Sequence, residues 1–250
     1  MSYLGREIHR SYDEYGAIKV FDDGEKRYLT FATDTEQSCV LKSNAGDLQY
    51  EYTRAMLLPL LFQPSAKRAL ILGLGAGSLA TCLHQHCRQL KLTAVELRQV
   101  VIDAAYQYFQ LPRGKKLQVL ADNAEHFLRH APNGKHHYIF SDLYGAEDVD
   151  NIQLQDSYIE LCHQHMHNEG WLVLNCWRNH RNDGDLVDSL SHRFQHVFAC
   201  NTQAGNWVLL ASNMTSLPSR TQLKENAKNW AKTSGFALPL SRMEIVQSVD

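Results

Sequence analysis

Four short stretches hold the residue types needed to grip a nucleoside and move a proton. The first is Gly73-Leu74-Gly75-Ala76-Gly77, which follows the apolar run Ala69–Leu72 and precedes a helical pattern over Ser78–Cys87. Glycines at this place allow a tight turn and a close approach of backbone to ligand. The start of the following helix adds free N–H groups, and Ser78 is the expected cap. The spacing is G-x-G-x-G, with Ser78 where the dinucleotide fingerprint has its third glycine. That favours a nucleoside without a pyrophosphate.

The other three stretches are acids that follow apolar runs. Glu96 ends the run Leu90–Val95, 23 residues after Gly73. A carboxylate there can accept hydrogen bonds from both ribose hydroxyls, although the helix dipole alone also favours an acid at a helix start. Asp122-Asn123 follows Leu117–Ala121. Asp122 can accept from an adenine amino group, and the same pair can cap a helix over Ala124–His130. Asp142 leaves the run Tyr138–Ser141, in Phe140-Ser141-Asp142-Leu143-Tyr144-Gly145. An acid emerging from a buried strand is placed to act on a substrate or to serve in structural hydrogen bonding.

These groups need a scaffold, and the patterning supplies one. From Lys67, short apolar runs alternate with amphipathic stretches: Leu97–Phe109 carries Leu97, Val100, Val101, Ala104, Ala105 and Tyr108 at helical spacing. Helices are also expected over Gln155–His167 and Asp185–Phe194, and strands over Gly170–Cys176, His196–Cys200 and Asn206–Ala211. Alternation of this kind implies a mostly parallel sheet covered on both faces, with ligands beyond the carboxyl ends of its strands. The last two strands are separated only by Asn201–Gly205, which predicts an antiparallel hairpin at the sheet edge. Ahead of this lie β-type runs at Ala17–Phe21, Arg27–Phe31 and Gln37–Leu41, then a helical pattern over Gln49–Phe62 that Pro59 ends or kinks. The expected fold class is α/β: a Rossmann-like sheet of the S-adenosylmethionine (SAM) methyltransferase type, plus a small N-terminal antiparallel sheet. The expected divisions are 1–62 (β-rich with a linking helix), 63–212 (nucleoside-binding) and 213–250 (a tail with one helix, Arg220–Ala231).

Composition excludes several classes. The 250 residues carry 25 basic and 27 acidic side chains, a net charge of −2, so no global attraction draws the chain to nucleic acid or to an anionic membrane. No apolar run reaches the ~18 residues of a spanning helix. The start, MSYLGREIHRSYDEYG, lacks the apolar stretch of a signal peptide. Six cysteines without a C-x-x-C pair read as reduced core residues of a cytoplasmic protein. Among 13 histidines, His84-x-His86-Cys87 and His163-x-His165-x-His167 invite a metal reading, with His163 and His167 on one helix face. No acid or cysteine completes a set in sequence, so solvated helix histidines and no metal are expected.

Residues from about 12 to 211 resemble the spermidine synthase (polyamine aminopropyltransferase) family, and this chain resembles a divergent member of it. Glu14-Tyr15-Gly16-Ala17-Ile18-Lys19-Val20 is similar to the family's E-Y-Q-x-I-x-V. Gln37 resembles the glutamine that ends the second hairpin. Tyr52-Thr53-Arg54-Ala55-Met56 falls at the Y-Q-E-M helix, Ile71–Ser78 at the glycine loop, and Asp122 at the G-D-[AG] turn. The resemblance implies a transferase that uses SAM or decarboxylated SAM as co-substrate, with no metal. Gly73, Gly75, Ala76, Gly77, Glu96, Asp122 and Asn123 would hold the nucleoside. Gln37, Tyr52 and Tyr144 would meet the acceptor, a small molecule of polyamine type, and Asp142 would do the proton chemistry. A homodimer is a further expectation, with no nucleic-acid or membrane partner.

The departures matter as much. The family's G-G-G-D-G-G has Ala76 in place of its acid, which there holds the aminopropyl amine. The family's D-x-[ST]-D-P is Asp142-Leu143-Tyr144-Gly145-Ala146 here, without the second acid or the proline. A desolvated ammonium without partners is costly. Glu147, Asp148 and Asp150 could replace the lost acids or form a solvated loop. The loss at Ala76 implies that SAM binds at least as tightly as decarboxylated SAM. Aminopropyl transfer, methyl transfer and silent nucleoside binding therefore stand as rival readings.

Overall fold

A computed structural model describes residues 4–31, 36–131, 134–144, 151–182 and 184–248. Two sheets organise them. The first is antiparallel, in the order β1 (Arg6–Asp13), β2 (Gly16–Asp22), β3 (Lys26–Phe31), β4 (Glu36–Leu41). The second has eight strands: β5 (Arg68–Leu72), β6 (Lys91–Glu96), β7 (Leu117–Ala121), β8 (His136–Ser141), β9 (Met166–Trp177), β10 (His196–Asn201), β11 (Asn206–Ser212) and β12 (Met243–Ser248). Their spatial order is β12-β10-β11-β9-β8-β5-β6-β7. β9, β8, β5, β6 and β7 run parallel, while β11, β10 and β12 are antiparallel additions.

The period of two along the central strands sorts side chains to opposite faces. Ala69, Ile71, Tyr138, Phe140 and Val173 pack on one face with α2 (Ser78–His86), α3 (Gln99–Tyr108) and α7 (Arg220–Ser234). Leu70, Leu72, Ile139, Leu172 and Leu174 pack on the other with α4 (Ala124–His130), α5 (Asp156–Gln164) and α6 (Gly184–Arg193). A strand covered on both faces reads as continuous apolar sequence, as Arg68-Ala69-Leu70-Ile71-Leu72 does. The small sheet packs Ile18, Val20, Leu29, Phe31 and Val40 against Ala76 of the glycine loop and Val101, Ala104 and Phe109 at α3.

Several local expectations are corrected. The polar start contains the strand β1, whose partner β2 covers it on one side only. The expected helix over Gln49–Phe62 is α1 (Glu51–Met56) followed by a 3₁₀ turn, Leu58–Leu61, because Pro59 cannot donate within an α-helix. Leu97 lies outside α3, which starts after Arg98, and is 42% exposed. Gly77, with φ of +78°, takes the capping position before α2, and the Ser78 hydroxyl instead donates to the Cys39 carbonyl (3.4 Å). α5 stops at Gln164, so His163 and His167 do not share a helix face. His167 lies on β9 and stacks on His137. The tail adds β12 outside β10, so the predicted hairpin is not the border of the sheet. The six cysteines are free.

Candidate functional site

The carboxyl ends of β5, β6 and β8 converge through backbone bonds. The Gly73 N–H donates to the Val95 carbonyl (2.9 Å), and the Asp142 N–H donates to the Leu72 carbonyl (2.8 Å). Asp122 N–H donates to the Glu96 carbonyl (3.0 Å). Three of the expected acids therefore stand at one end of the sheet because parallel pairing aligns their strands.

Glu96 is 8% exposed and organises the glycine loop. Its Oε2 accepts from the N–H groups of Leu74 (3.0 Å) and Gly75 (3.3 Å), and its Oε1 from that of Arg98 (3.1 Å). Burial pushes its carboxyl above the usual range, and these N–H donors and the nearby Arg98 charge oppose that shift. Gly73, Gly75 and Gly77 all have positive φ, which is why side chains are excluded from them. From the small sheet, the Ser38 hydroxyl accepts from the Ala76 N–H (3.2 Å). The Ala76 side chain is fully buried in the apolar cluster beneath the small sheet, and it is not among the residues lining the cleft.

Asp142 reaches the cleft, but its carboxyl is enclosed by protein. It accepts from Asn175 Nδ2 (2.8 Å) and from the Tyr52 hydroxyl. Burial pushes its carboxyl up to about 6; the Asn175 and Tyr52 hydrogen bonds pull it down, and Glu96 adds to the rise. Burial, followed by the neighbouring Asp142 charge, holds the Tyr52 phenol well above its usual range, so it stays a donor. A carboxyl that titrates near neutrality is matched to taking a proton from an amine or hydroxyl. Tyr144 stands beside it, edge-on to Trp177, with its hydroxyl 3.5 Å from the Asn175 carbonyl. The cleft between Tyr52, Gly73, Leu74 and Asp142 is a cavity of only about 20 Å³. A wider hollow of about 570 Å³ lies between α3 and β7 and contains none of these acids. The narrow cleft is lined by Asp142, Tyr52 and the glycine loop.

The remaining expected residues divide. The Asn123 side chain caps α4, accepting from the His126 N–H (3.0 Å). Asp122 accepts from the Asn123 N–H (2.8 Å) and lies 2.9 Å from His126 Nδ1. Gln37 lies on β4, and its side chain is outside the described residues, as are Gly145, Glu147, Asp148 and Asp150. Among the described residues, no group of three or more His, Cys, Asp or Glu could hold a metal ion. No helix among them is long and apolar enough to cross a membrane.

Sequence reading misses Asn175, Gln153, Ser38 and Arg98. Asn175 carries a signal, being a polar residue inside the apolar run Trp171–Trp177. Arg98 is 7% exposed and donates to Asp13 twice (2.9 and 2.6 Å) and to the Gly16 carbonyl (2.7 Å), tying the small sheet to the residue after Leu97. Its partner is 85 residues away in sequence, so nothing local announces it.

Known proteins share this fold. The family model for the spermine/spermidine synthase domain matches residues 51–212. A polyamine aminopropyltransferase of Vibrio vulnificus (strain CMCP6) is 27% identical over 256 residues, covering 97% of this chain and 84% of the relative. The crystal structure of a probable spermidine synthase from Corynebacterium glutamicum superposes with a TM-score of 0.78 at 18% identity, covering 96% of this chain and 90% of that one. Human methyltransferase-like protein 13 in complex with SAH gives 0.67 at 18% identity, covering 75% and 93%. The family model spans more than half of the chain and the relatives agree with it: this chain belongs to the spermine/spermidine synthase family and is a spermidine-synthase-like transferase.

Proposed function

We propose that the protein transfers an alkyl group from a sulfonium nucleoside to an amine of polyamine type, with Asp142 as the base. The observation that carries this reading is the enclosed Asp142 carboxyl, raised to about 6 and aimed by Tyr52 and Asn175, beside the glycine loop. The residues present fit a nucleoside. Glycines with positive φ leave the loop without side chains, and Glu96 and Asp122 supply acceptors at the adjoining strand ends. When bound, the nucleoside supplies a carbon made electrophilic by positive sulfur.

Asp142 takes the proton of the attacking nitrogen as the C–N bond forms. The C–S bond breaks, and its electron pair leaves with sulfur as a neutral thioether. Positioning in line and removal of that proton are the protein's work. The cleft of about 20 Å³ is below the size of a nucleoside site, so binding requires the small sheet and the glycine loop to part. Glu96 then exchanges bonds to the Leu74 and Gly75 N–H groups for bonds to ribose.

A second reading, methyl transfer from SAM, is supported by the likeness to the eEF1A lysine and N-terminal methyltransferase of Xenopus laevis, 24% identical over 246 residues. Calorimetry with SAM, decarboxylated SAM and methylthioadenosine, followed by transfer assays on a diamine panel, decides between them. Tighter binding and turnover of decarboxylated SAM support aminopropyl transfer. Turnover of SAM alone supports methylation. No binding of any of the three overturns the proposal and leaves a silent protein.

A further inference from the structure

Asn175 sits at the centre of a buried polar chain that the family motifs do not contain. Its amide nitrogen donates to Asp142 Oδ1 (2.8 Å), and its amide oxygen accepts from Asn206 Nδ2 (3.2 Å). Its backbone carbonyl accepts from Gln153 Nε2 (2.8 Å). Gln153 in turn accepts from the Ser141 hydroxyl (2.9 Å) and the Leu143 N–H (3.3 Å), the two residues flanking Asp142. The Ser141 hydroxyl also meets the Tyr158 hydroxyl (2.9 Å). Gln153, Ser141, Asn175 and Asn206 are all 5% exposed or less. Asn206 is held by Thr202, whose hydroxyl accepts from its N–H (2.9 Å).

One side-chain amide, that of Asn175, therefore meets the acid directly, and two more, those of Asn206 and Gln153, hold Asn175 and the backbone on either side of Asp142. A buried amide has a fixed donor end only if its oxygen is occupied elsewhere. Asn206 occupies the Asn175 oxygen, so the Asn175 nitrogen must point at Asp142. Gln153 fixes the β9 backbone and the chain on both sides of Asp142 through a single side chain. A carboxylate that accepts a hydrogen bond is favoured over its protonated form.

We infer that Asn175, oriented by Asn206 and Gln153, is a positioning residue that fixes the rotamer of Asp142 and sets the acidity at which it becomes a base. The inference rests on the proposed role of Asp142 for its catalytic meaning, but the effect on Asp142 itself does not. The titratable groups acting on this carboxyl are Tyr52 from α1 and Glu96 from β6, while Tyr144 beyond β8 acts on Tyr52 and meets the Asn175 carbonyl. The hydrogen bond described at Asn175 Nδ2 is the one to Asp142, and Asn175→Ala removes that donor.

The test is the carboxyl-carbon NMR titration of Asp142 in the full ligand-free chain, assigned by its loss in Asp142→Asn. Asn175→Ala is expected to raise the titration midpoint by about one pH unit, a tenfold change in proton affinity. Asn206→Ala keeps the donor but frees its orientation, and a smaller rise is expected. An unchanged midpoint in folded Asn175→Ala overturns the inference. Where Asn175→Ala does not fold, Asn206→Ala decides: a raised midpoint supports the role and an unchanged one overturns it. Because the readout needs no donor or acceptor, a protein that transfers nothing still answers it. If transfer is found, the acid limb of the kcat/KM profile must move upward with the NMR midpoint. A fall in rate with both unmoved marks a merely structural residue and overturns the inference.

Discussion

Gly73 packs its Cα against the backbone carbonyl of Asp142, so closely that a Cβ on residue 73 would overlap that oxygen. The glycine loop and the acid are thereby in direct backbone contact, at the ends of adjacent strands. Gly73→Ala meets both this overlap and a φ of +90°. It is expected to destabilise by about 2 kcal/mol or more and to lower nucleoside affinity. Gly184→Ala is the control, with no atom within 4 Å of the added carbon, and should stay within about 0.5 kcal/mol of wild type. Thermal melts of the two proteins check this, and equal melting temperatures would show that the contact is not needed.

Gly75→Val is expected to abolish nucleoside binding. Its φ is +54°, and a Cβ there stands 2.7 Å from the Ser38 hydroxyl that receives the Ala76 N–H. Calorimetry against SAM and decarboxylated SAM reads the loss. A variant that binds both as wild type does would move the pocket elsewhere.

Glu96→Ala removes the acceptor for three backbone N–H groups and, in the proposed complex, the ribose partner. Stability should fall by about 2–4 kcal/mol, and nucleoside binding should weaken by about 1.5–3 kcal/mol. Glu96→Gln keeps an acceptor oxygen and should lie between the two. Denaturant melts and calorimetry separate the effects. Unchanged affinity in a folded Glu96→Ala protein would remove the ribose assignment.

Asp142 should cost stability when ionised. Its carboxyl titrates near 6 in the fold against an ordinary value of 3.8. A raised acid contributes no cost below its unfolded value, and the cost grows until pH passes the folded value. Asp142→Asn should therefore be more stable than wild type at pH 8 by about 3 kcal/mol and nearly equal to it at pH 3. Turnover should drop by about 10²–10⁴ in the same protein. Urea melts at the two pH values, set beside transfer rates, test both halves. A loss of rate without the gain at pH 8 would contradict the buried, ionised base.

Ala76→Asp separates the sequence reading from the structural one. From sequence, an acid at 76 should swing preference toward decarboxylated SAM by about 1–2 kcal/mol. In the fold, the Ala76 side chain is buried in the apolar cluster shared by the small sheet and α3, so a new carboxylate there is desolvated. Loss of several kcal/mol of stability is expected instead. A stable Ala76→Asp protein with tightened binding of decarboxylated SAM would reinstate the first expectation.

The sequence by itself determined the α/β class, the antiparallel additions and the small N-terminal sheet, because period and turn residues are local properties. It also placed Gly73, Glu96, Asp122 and Asp142 at strand ends, since each follows an apolar run and parallel pairing does the rest. The amphipathic strand β12 and the polar strand β1 escaped because each is an edge with a single neighbour, so neither shows a buried apolar period. What each side chain touches was decided only by tertiary structure. Asn123 reads in sequence as cap or ligand, two roles that can coexist, and the fold shows the cap through the His126 N–H. Ala76 reads in sequence only as a departure from an acid, and the fold adds that its side chain is buried with the small sheet. Asn175 acquires its role from Asn206 and Gln153, 31 and 22 residues away, through bonds that no spacing rule encodes. A hydrogen bond between distant residues depends on how two strands and a turn are packed, and that is a property of the assembled sheet rather than of any segment.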